Sequence, residues 1–259
     1  MTGRRIDLYA ALLCGLSILL AARVLGFGNF ELFLIRLSNV DVISFAVLAV
    51  AVWRLLRSSS MVPFTATDIA GAFTLAAASI GLAFVPSAVG IGAGFGGLGA
   101  TILLRESTDR DLRAAGICLL ALAGHLCLAP IVFRVFLDPI LQIDRYLLGL
   151  AFSLIRPETL WTDAGFTAPD GLRILLVGAC SSFAGVSVAI AVHVGWAMRV
   201  RTSLTRFDAL AILATGVLAT VINITRLVLT CWSEELFVFW HGTNGSAPGL
   251  MIAWFLQKA

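Results

Sequence analysis

DALAILATGVLATVINITRLVLT, residues 208–230, is the stretch on which the reading of this chain turns. Between Asp208 and Arg226 it holds no charged residue. A helix needs roughly 20 mostly apolar residues to cross the hydrocarbon of a bilayer, and this segment has that length. It predicts a membrane-spanning helix. Asn223 and Arg226 near its far end are then polar groups in an expensive place, which makes them functional candidates.

The rest of the chain repeats the pattern. Of its 259 residues, 59% are hydrophobic and 13% charged, and the mean hydropathy is +0.98. Soluble domains carry about 25% charged residues, and an interior of this size cannot hide so much apolar surface. Further spans are expected at about 7–27, 40–56, 66–85, 87–104, 114–137, 173–197 and 246–257. The predicted fold class is therefore all-α: a polytopic transmembrane helical bundle of about eight spans, whose main partner is the lipid bilayer. It is expected to form one transmembrane domain over residues 1–259. Within it lie N-terminal spans (1–137), an outer segment (138–172) and a last group of spans (173–259).

Positive charge orients the bundle. With the N-terminus in the cytoplasm, Arg4, Arg5, Arg54, Arg57, Arg105, Arg110, Arg113, Arg199, Arg201, Arg206 and Lys258 fall at inner ends, a majority of the 18 Lys and Arg residues. The expectation is N-in and C-in, in the cytoplasmic (inner) membrane. The N-terminal apolar stretch is too long for a signal-peptide core and is read as an uncleaved first span. The net charge of +3 comes with no basic run interleaved with aromatics, so no nucleic-acid partner is expected.

The segment 138–171 includes Ile140-Leu141-Gln142-Ile143-Asp144-Arg145-Tyr146-Leu147-Leu148. Its apolar and charged residues segregate on a helix, which predicts an amphipathic or re-entrant element at the outer interface. It is either a cover over an outward-facing site or a connector. The Gly-rich run 90–99 matches G-x-G-x-x-G at Gly94, Gly96 and Gly99, yet no strand is predicted before it and no separate helix after it. Close helix packing through small residues is the better reading.

Three polar sites are expected at the outer leaflet. Gly178-Ala179-Cys180-Ser181-Ser182 is predicted about two turns into the sixth span. Asn223-Ile224-Thr225-Arg226 places Asn223 and Arg226 on one helix face. His241-Gly242-Thr243-Asn244-Gly245 precedes the last span. His125, mid-span without a polar companion, and His193, near an inner end, are expected to be packing or hydrogen-bonded histidines. The five cysteines, Cys14, Cys118, Cys127, Cys180 and Cys231, show no C-x-x-C and no zinc spacing, so neither a disulfide framework nor a metal site is expected. Cys180, Arg226 and His241 fall on three consecutive spans at one depth. A thiol nucleophile needs a base or a cation beside it, and these are the residue types for acyl transfer.

In these motifs the chain resembles the exosortase/archaeosortase family of membrane-embedded cysteine transpeptidases. The family carries an A-C-[SA]-[GS]-like motif, then N-x-x-R, then H-x-x-x-G. Here they read Ala179-Cys180-Ser181-Ser182, Asn223-Ile224-Thr225-Arg226, and His241 with Gly245. The resemblance covers roughly residues 138–257; Ser182 departs from the Gly of many members. It implies catalytic Cys180, Arg226 and His241, with Asn223, Ser181 and Gly245 in supporting or substrate-binding roles and no cofactor. Asn223 would orient Arg226 or donate to substrate backbone. The implied partners are exported proteins with a C-terminal motif, a transmembrane helix and a basic tail. They would be cut at the outer face and passed to a surface acceptor.

Rival chemistries lack their motifs. A serine protease of the rhomboid type wants G-x-S-x-G, and a zinc peptidase H-E-x-x-H; neither is present. Glu234-Glu235 has no Arg at the fourth position after it. The remaining alternative is a non-catalytic membrane protein, a transporter or an assembly scaffold, for which His125 and Pro130 in the fifth span would be the polar and broken-helix signals.

Overall fold

The computed structural model describes residues 4–25, 42–63, 65–83, 89–106, 108–155, 157, 158, 160–162, 165–167, 173–175 and 178–230. They are predominantly helical: α1 (Arg5–Leu25), α2 (Val42–Arg57), α3 (Ala66–Ala83), α4 (Val89–Arg105), α5 (Arg110–Ala123), a π turn (Gly124–Leu128), α6 (Ala129–Val135), α7 (Leu137–Ile155), α8 (Ser182–Val200) and α9 (Arg206–Thr230). Three helical stretches among the described residues are long and apolar enough to cross a membrane: Arg110–Val135, Ser182–Val200 and Arg206–Thr230. The segment 246–257 lies outside the described residues.

Two compact units emerge: residues 4–131 with Ser187–Ala214, and Val132–Val186 with residues 215–230. The core of the first is built from helical stripes. Tyr9, Leu13, Leu16 and Leu20 line α1, Val47, Leu48, Ala51 and Leu55 line α2, and Ile91, Phe95, Leu98 and Ile102 line α4, all buried together. The spacing of three and four is that of one helix face.

The Gly-rich run lies wholly inside α4, so it forms no nucleotide loop. It lets α4 approach its neighbours closely. A Cβ on Gly99 would lie 2.8 Å from the Gly116 carbonyl oxygen, and one on Gly92 2.8 Å from the Cys127 nitrogen. Cys127 belongs to the π turn, where the Ala129 N–H reaches back to the Gly124 carbonyl. Pro130 explains the widening. It has no N–H for Leu126, and its ring crowds that carbonyl.

Charge gathers at one side of this unit. Arg5 meets Asp68 at 3.0 Å and Glu106 at 3.4 Å, and Arg105 pairs with Asp68. Arg54 meets Asp111 at 2.6 Å and donates to the carbonyls of Met198 at 2.7 Å and Arg201 at 2.8 Å. Ser58 donates to Asp109 at 2.6 Å, and Arg201 pairs with Asp208. The starts of α1, α3, α5 and α9 and the ends of α2, α4 and α8 therefore meet on one side, as helices running alternately up and down require. These ends carry the arginines assigned from sequence to a single face.

In the second unit, α7 turns Leu141, Leu148 and Phe152 toward Ile224, Leu227 and Val228 of α9. Its other face leaves Ile143, Tyr146, Leu150 and Leu154 exposed. After α7 comes a small antiparallel meander with no counterpart in the sequence reading: β1 (Leu160–Thr162), β2 (Gly165–Thr167) and β3 (Arg173–Leu175). Trp161 pairs with Phe166, and Phe166 with Ile174.

The sixth span begins later than expected. Residues 173–175 are strand and Gly178–Cys180 form one 3-10 turn, so α8 starts at Ser182. Cys180 stands just before the helix, not two turns inside it. The cause is capping: the Ser181 hydroxyl oxygen accepts the Phe183 N–H at 3.1 Å, a side-chain bond that starts a helix at its own position.

Candidate active site

The turn bearing Cys180 is held from two helices. From α9, Asn223 Nδ2 donates to the Cys180 carbonyl at 2.9 Å and to Ser182 Oγ at 3.1 Å. From α7, Asp144 Oδ2 accepts the Ser181 hydroxyl at 2.7 Å and the Ser182 N–H at 3.1 Å. Behind the turn Phe133 stacks on Phe183 with ring centroids 5.8 Å apart, and a Cβ on Gly178 would sit 3.3 Å from the Phe133 ring. The small residue at 178 lets the backbone pass over that ring.

Each bond answers a local need. The Cys180 carbonyl lies outside α8 and has no helical partner. A half-buried carbonyl without a donor is costly, and Asn223 supplies one. The Ser182 N–H is one of the orphan donors of a helix start, and Asp144 accepts it.

Cys180 itself is half-buried and free of any disulfide. It packs at the margin of the apolar cluster formed by α7 and α9. Arg226 follows Asn223 by three residues, on the same face of α9 and roughly one turn farther along. It is half-buried. Among the described residues no carboxylate lies within ion-pair distance of it, so its guanidinium is uncommitted within the described part of the chain.

The sequence-derived candidates thus divide. Cys180 and Asn223 are in direct contact, and Arg226 is on the face that makes that contact. Asn223 gives its amide to the Cys180 carbonyl and the Ser182 hydroxyl rather than to Arg226. Ser181 is 6% exposed and bonded to Asp144, so its hydroxyl is engaged inside the chain. His241 and Gly245 lie outside the described residues, as do Glu234 and Glu235.

Asp144 is the residue that sequence reasoning missed. In sequence it is half of an Asp144-Arg145 pair on an amphipathic helix, which reads as a solvated face; in the fold it is 3% exposed. The signal available was its spacing, three residues after Leu141 and four before Leu148, which puts it on the apolar stripe of α7.

His125 and His193 are engaged elsewhere. His125 Nδ1 lies 3.0 Å from Ser187 Oγ, so it has the polar companion that the sequence reading did not find. His193 Nε2 lies 3.7 Å from Asp208, near the start of α9. Among the described residues no three His, Cys, Asp or Glu side chains are grouped as a metal site would need.

No family model, no curated protein and no solved structure matches this chain.

Proposed function

We propose that this protein is a membrane-embedded cysteine peptidase or transpeptidase similar to the exosortase/archaeosortase family. In this reading the chain has eight spans with both termini in the cytoplasm, and its site faces the outside of the cytoplasmic membrane. Its substrates are exported proteins with a C-terminal motif, a transmembrane helix and a basic tail.

One contact carries the reading: Asn223 donates to the Cys180 carbonyl across 43 residues of chain. Two motifs read separately in sequence, A-C-S-S and N-x-x-R, thereby share one turn. The donor to the Cys180 carbonyl is thus a residue that its own motif had already marked.

In the proposed mechanism the Cys180 thiolate attacks the scissile carbonyl carbon, and the C–N bond of the tetrahedral adduct breaks to leave a thioester. Arg226 stabilises first the thiolate and then the oxyanion, an electrostatic contribution that is commonly the largest in acyl transfer. His241 gives a proton to the departing amine and then takes one from the incoming nucleophile. That nucleophile is a surface acceptor or water, and its attack on the thioester expels Cys180 as the thiolate, with His241 protonated again.

The test is co-expression with a secreted reporter that ends in a tripartite signal. Wild-type protein releases the reporter from its C-terminal helix; Cys180→Ala, Arg226→Ala and His241→Ala each leave it full length. Normal release by Cys180→Ala would remove the nucleophile assignment; no release by the wild-type chain would favour a non-catalytic membrane protein.

A further inference from the structure

The Cys180 turn has an anchor for which the proposed chemistry gives no role. Asp144 lies on the buried face of α7, 3% exposed. Its Oδ2 takes both the Ser181 hydroxyl and the Ser182 N–H. Among the described residues no Arg, Lys or His is within ion-pair distance of its carboxylate. A carboxylate withdrawn from water without a cation is costly. Here the cost is offset by two donors and by the positive end of the α8 dipole, against which it sits.

Helix initiation accounts for only one of its two bonds, that from the Ser182 N–H. Ser181 already caps α8 from within, through the Phe183 N–H. What Asp144 adds is a tie between α7 and the residues directly after Cys180, while Asn223 ties the Cys180 carbonyl to α9. The turn is therefore pinned on both sides of the thiol-bearing residue.

Resting on the reading of Cys180 as nucleophile, we propose that Asp144 is a positioning residue. It acts through Ser181 and Ser182 to set the depth and direction at which the thiol is presented. A nucleophile misplaced by about 1 Å loses on the order of 100-fold in rate, and a turn released from α7 has that freedom. The role is geometric. An acceptor oxygen at this position suffices, and the amide of asparagine provides one.

Two measurements on the full chain in lipid nanodiscs test this. The first is reporter cleavage. Asp144→Ala is expected to lower kcat by roughly 100-fold with KM nearly unchanged, because no substrate contact is removed. Asp144→Asn, which accepts the same two bonds, is expected to recover most of that loss. Asp144→Asn as impaired as Asp144→Ala would overturn the geometric role, and a loss confined to KM would show that Asp144 binds substrate instead.

The second measurement needs no substrate. In a variant with Cys14, Cys118, Cys127 and Cys231 replaced by Ala, the rate of Cys180 alkylation by N-ethylmaleimide is followed. Asp144→Ala is expected to change that rate several-fold and Asp144→Asn to restore it. Unchanged alkylation in Asp144→Ala would sink the proposal. Should that variant fail to fold, Asp144→Ser, whose shorter side chain falls short of both donors, answers the same question. If Cys180→Ala cleaves the reporter normally, the reading of Cys180 as nucleophile falls while the alkylation result still decides whether Asp144 controls the turn.

Discussion

Asn223 on α9 donates its side-chain amide to the main-chain carbonyl of Cys180 at 2.9 Å. Two spans that share no local sequence logic are joined at the residue proposed as nucleophile. Replacing Asn223 by Ala leaves that carbonyl and the Ser182 hydroxyl without their donor. The expected cost is about 1–3 kcal/mol of stability, read as a lower thermal unfolding midpoint in detergent, together with loss of reporter cleavage. Asn223→Asp is expected to do no better, because a carboxylate cannot donate to a carbonyl.

Arg226 should behave differently from Asn223. It makes no ion pair with a described residue, so Arg226→Ala is expected to leave the unfolding midpoint nearly unchanged. Cleavage should fall by roughly 100- to 1000-fold, the usual loss when a donor to a developing oxyanion is removed. Arg226→Lys keeps the charge but not the planar fork and is expected to fall between. A midpoint drop as large as that of Asn223→Ala would make Arg226 structural.

The α4–α5 contact gives a test free of any functional reading. Gly99→Ala drives a methyl to 2.8 Å from the Gly116 carbonyl oxygen, and overpacking of this kind costs about 1–3 kcal/mol. Gly15→Ala in α1 is the control. Nothing lies within 4 Å of the added Cβ, and the helix gains up to about 1 kcal/mol of propensity. The two variants should move the unfolding midpoint in opposite directions.

Arg54 holds together the ends of three helices. Its side chain is 7% exposed and meets Asp111 at 2.6 Å, and it serves the carbonyls of Met198, Arg199 and Arg201. Arg54→Ala leaves a carboxylate and several carbonyls unpartnered, for an expected loss of roughly 3–5 kcal/mol. Chemical unfolding of the purified variant measures it. A loss under about 1 kcal/mol would place Arg54 with the weak surface pairs.

Sidedness is open to direct labelling. In a variant lacking the native cysteines, Tyr146→Cys, at a position 73% exposed on α7, is expected to react with a membrane-impermeant maleimide added to intact cells. Ser203→Cys, between α8 and α9, is expected to react only after the cells are opened. The reverse pattern would invert the proposed orientation.

How much of this was legible in the sequence varies with the kind of interaction. The helix of 206–230 and the run of small residues in α4 could be read directly, because hydropathy and glycine spacing are properties of one segment at a time. The start of α8 was misread by nearly ten residues. Ile174 and Leu175 look the same in a strand and in a span, and it is the Ser181 cap that places the boundary at Ser182. The lone appearance of His125 was likewise wrong, since Ser187 is 62 residues away.

By itself the sequence determined where apolar helices run, which ends carry arginine, and that Cys180, Asn223 and Arg226 belong to candidate motifs. Only the tertiary structure decided what those residues touch: Asn223 meets the Cys180 carbonyl, Ser181 turns inward, and Asp144, 37 residues before Ser181, closes on the same turn. The physical reason is reach. A hydrogen bond requires donor and acceptor within about 3 Å, and which carboxylate arrives there depends on the rotation and register of α7 against α9, set by Leu141, Leu148, Phe152, Ile224, Leu227 and Val228 packing together.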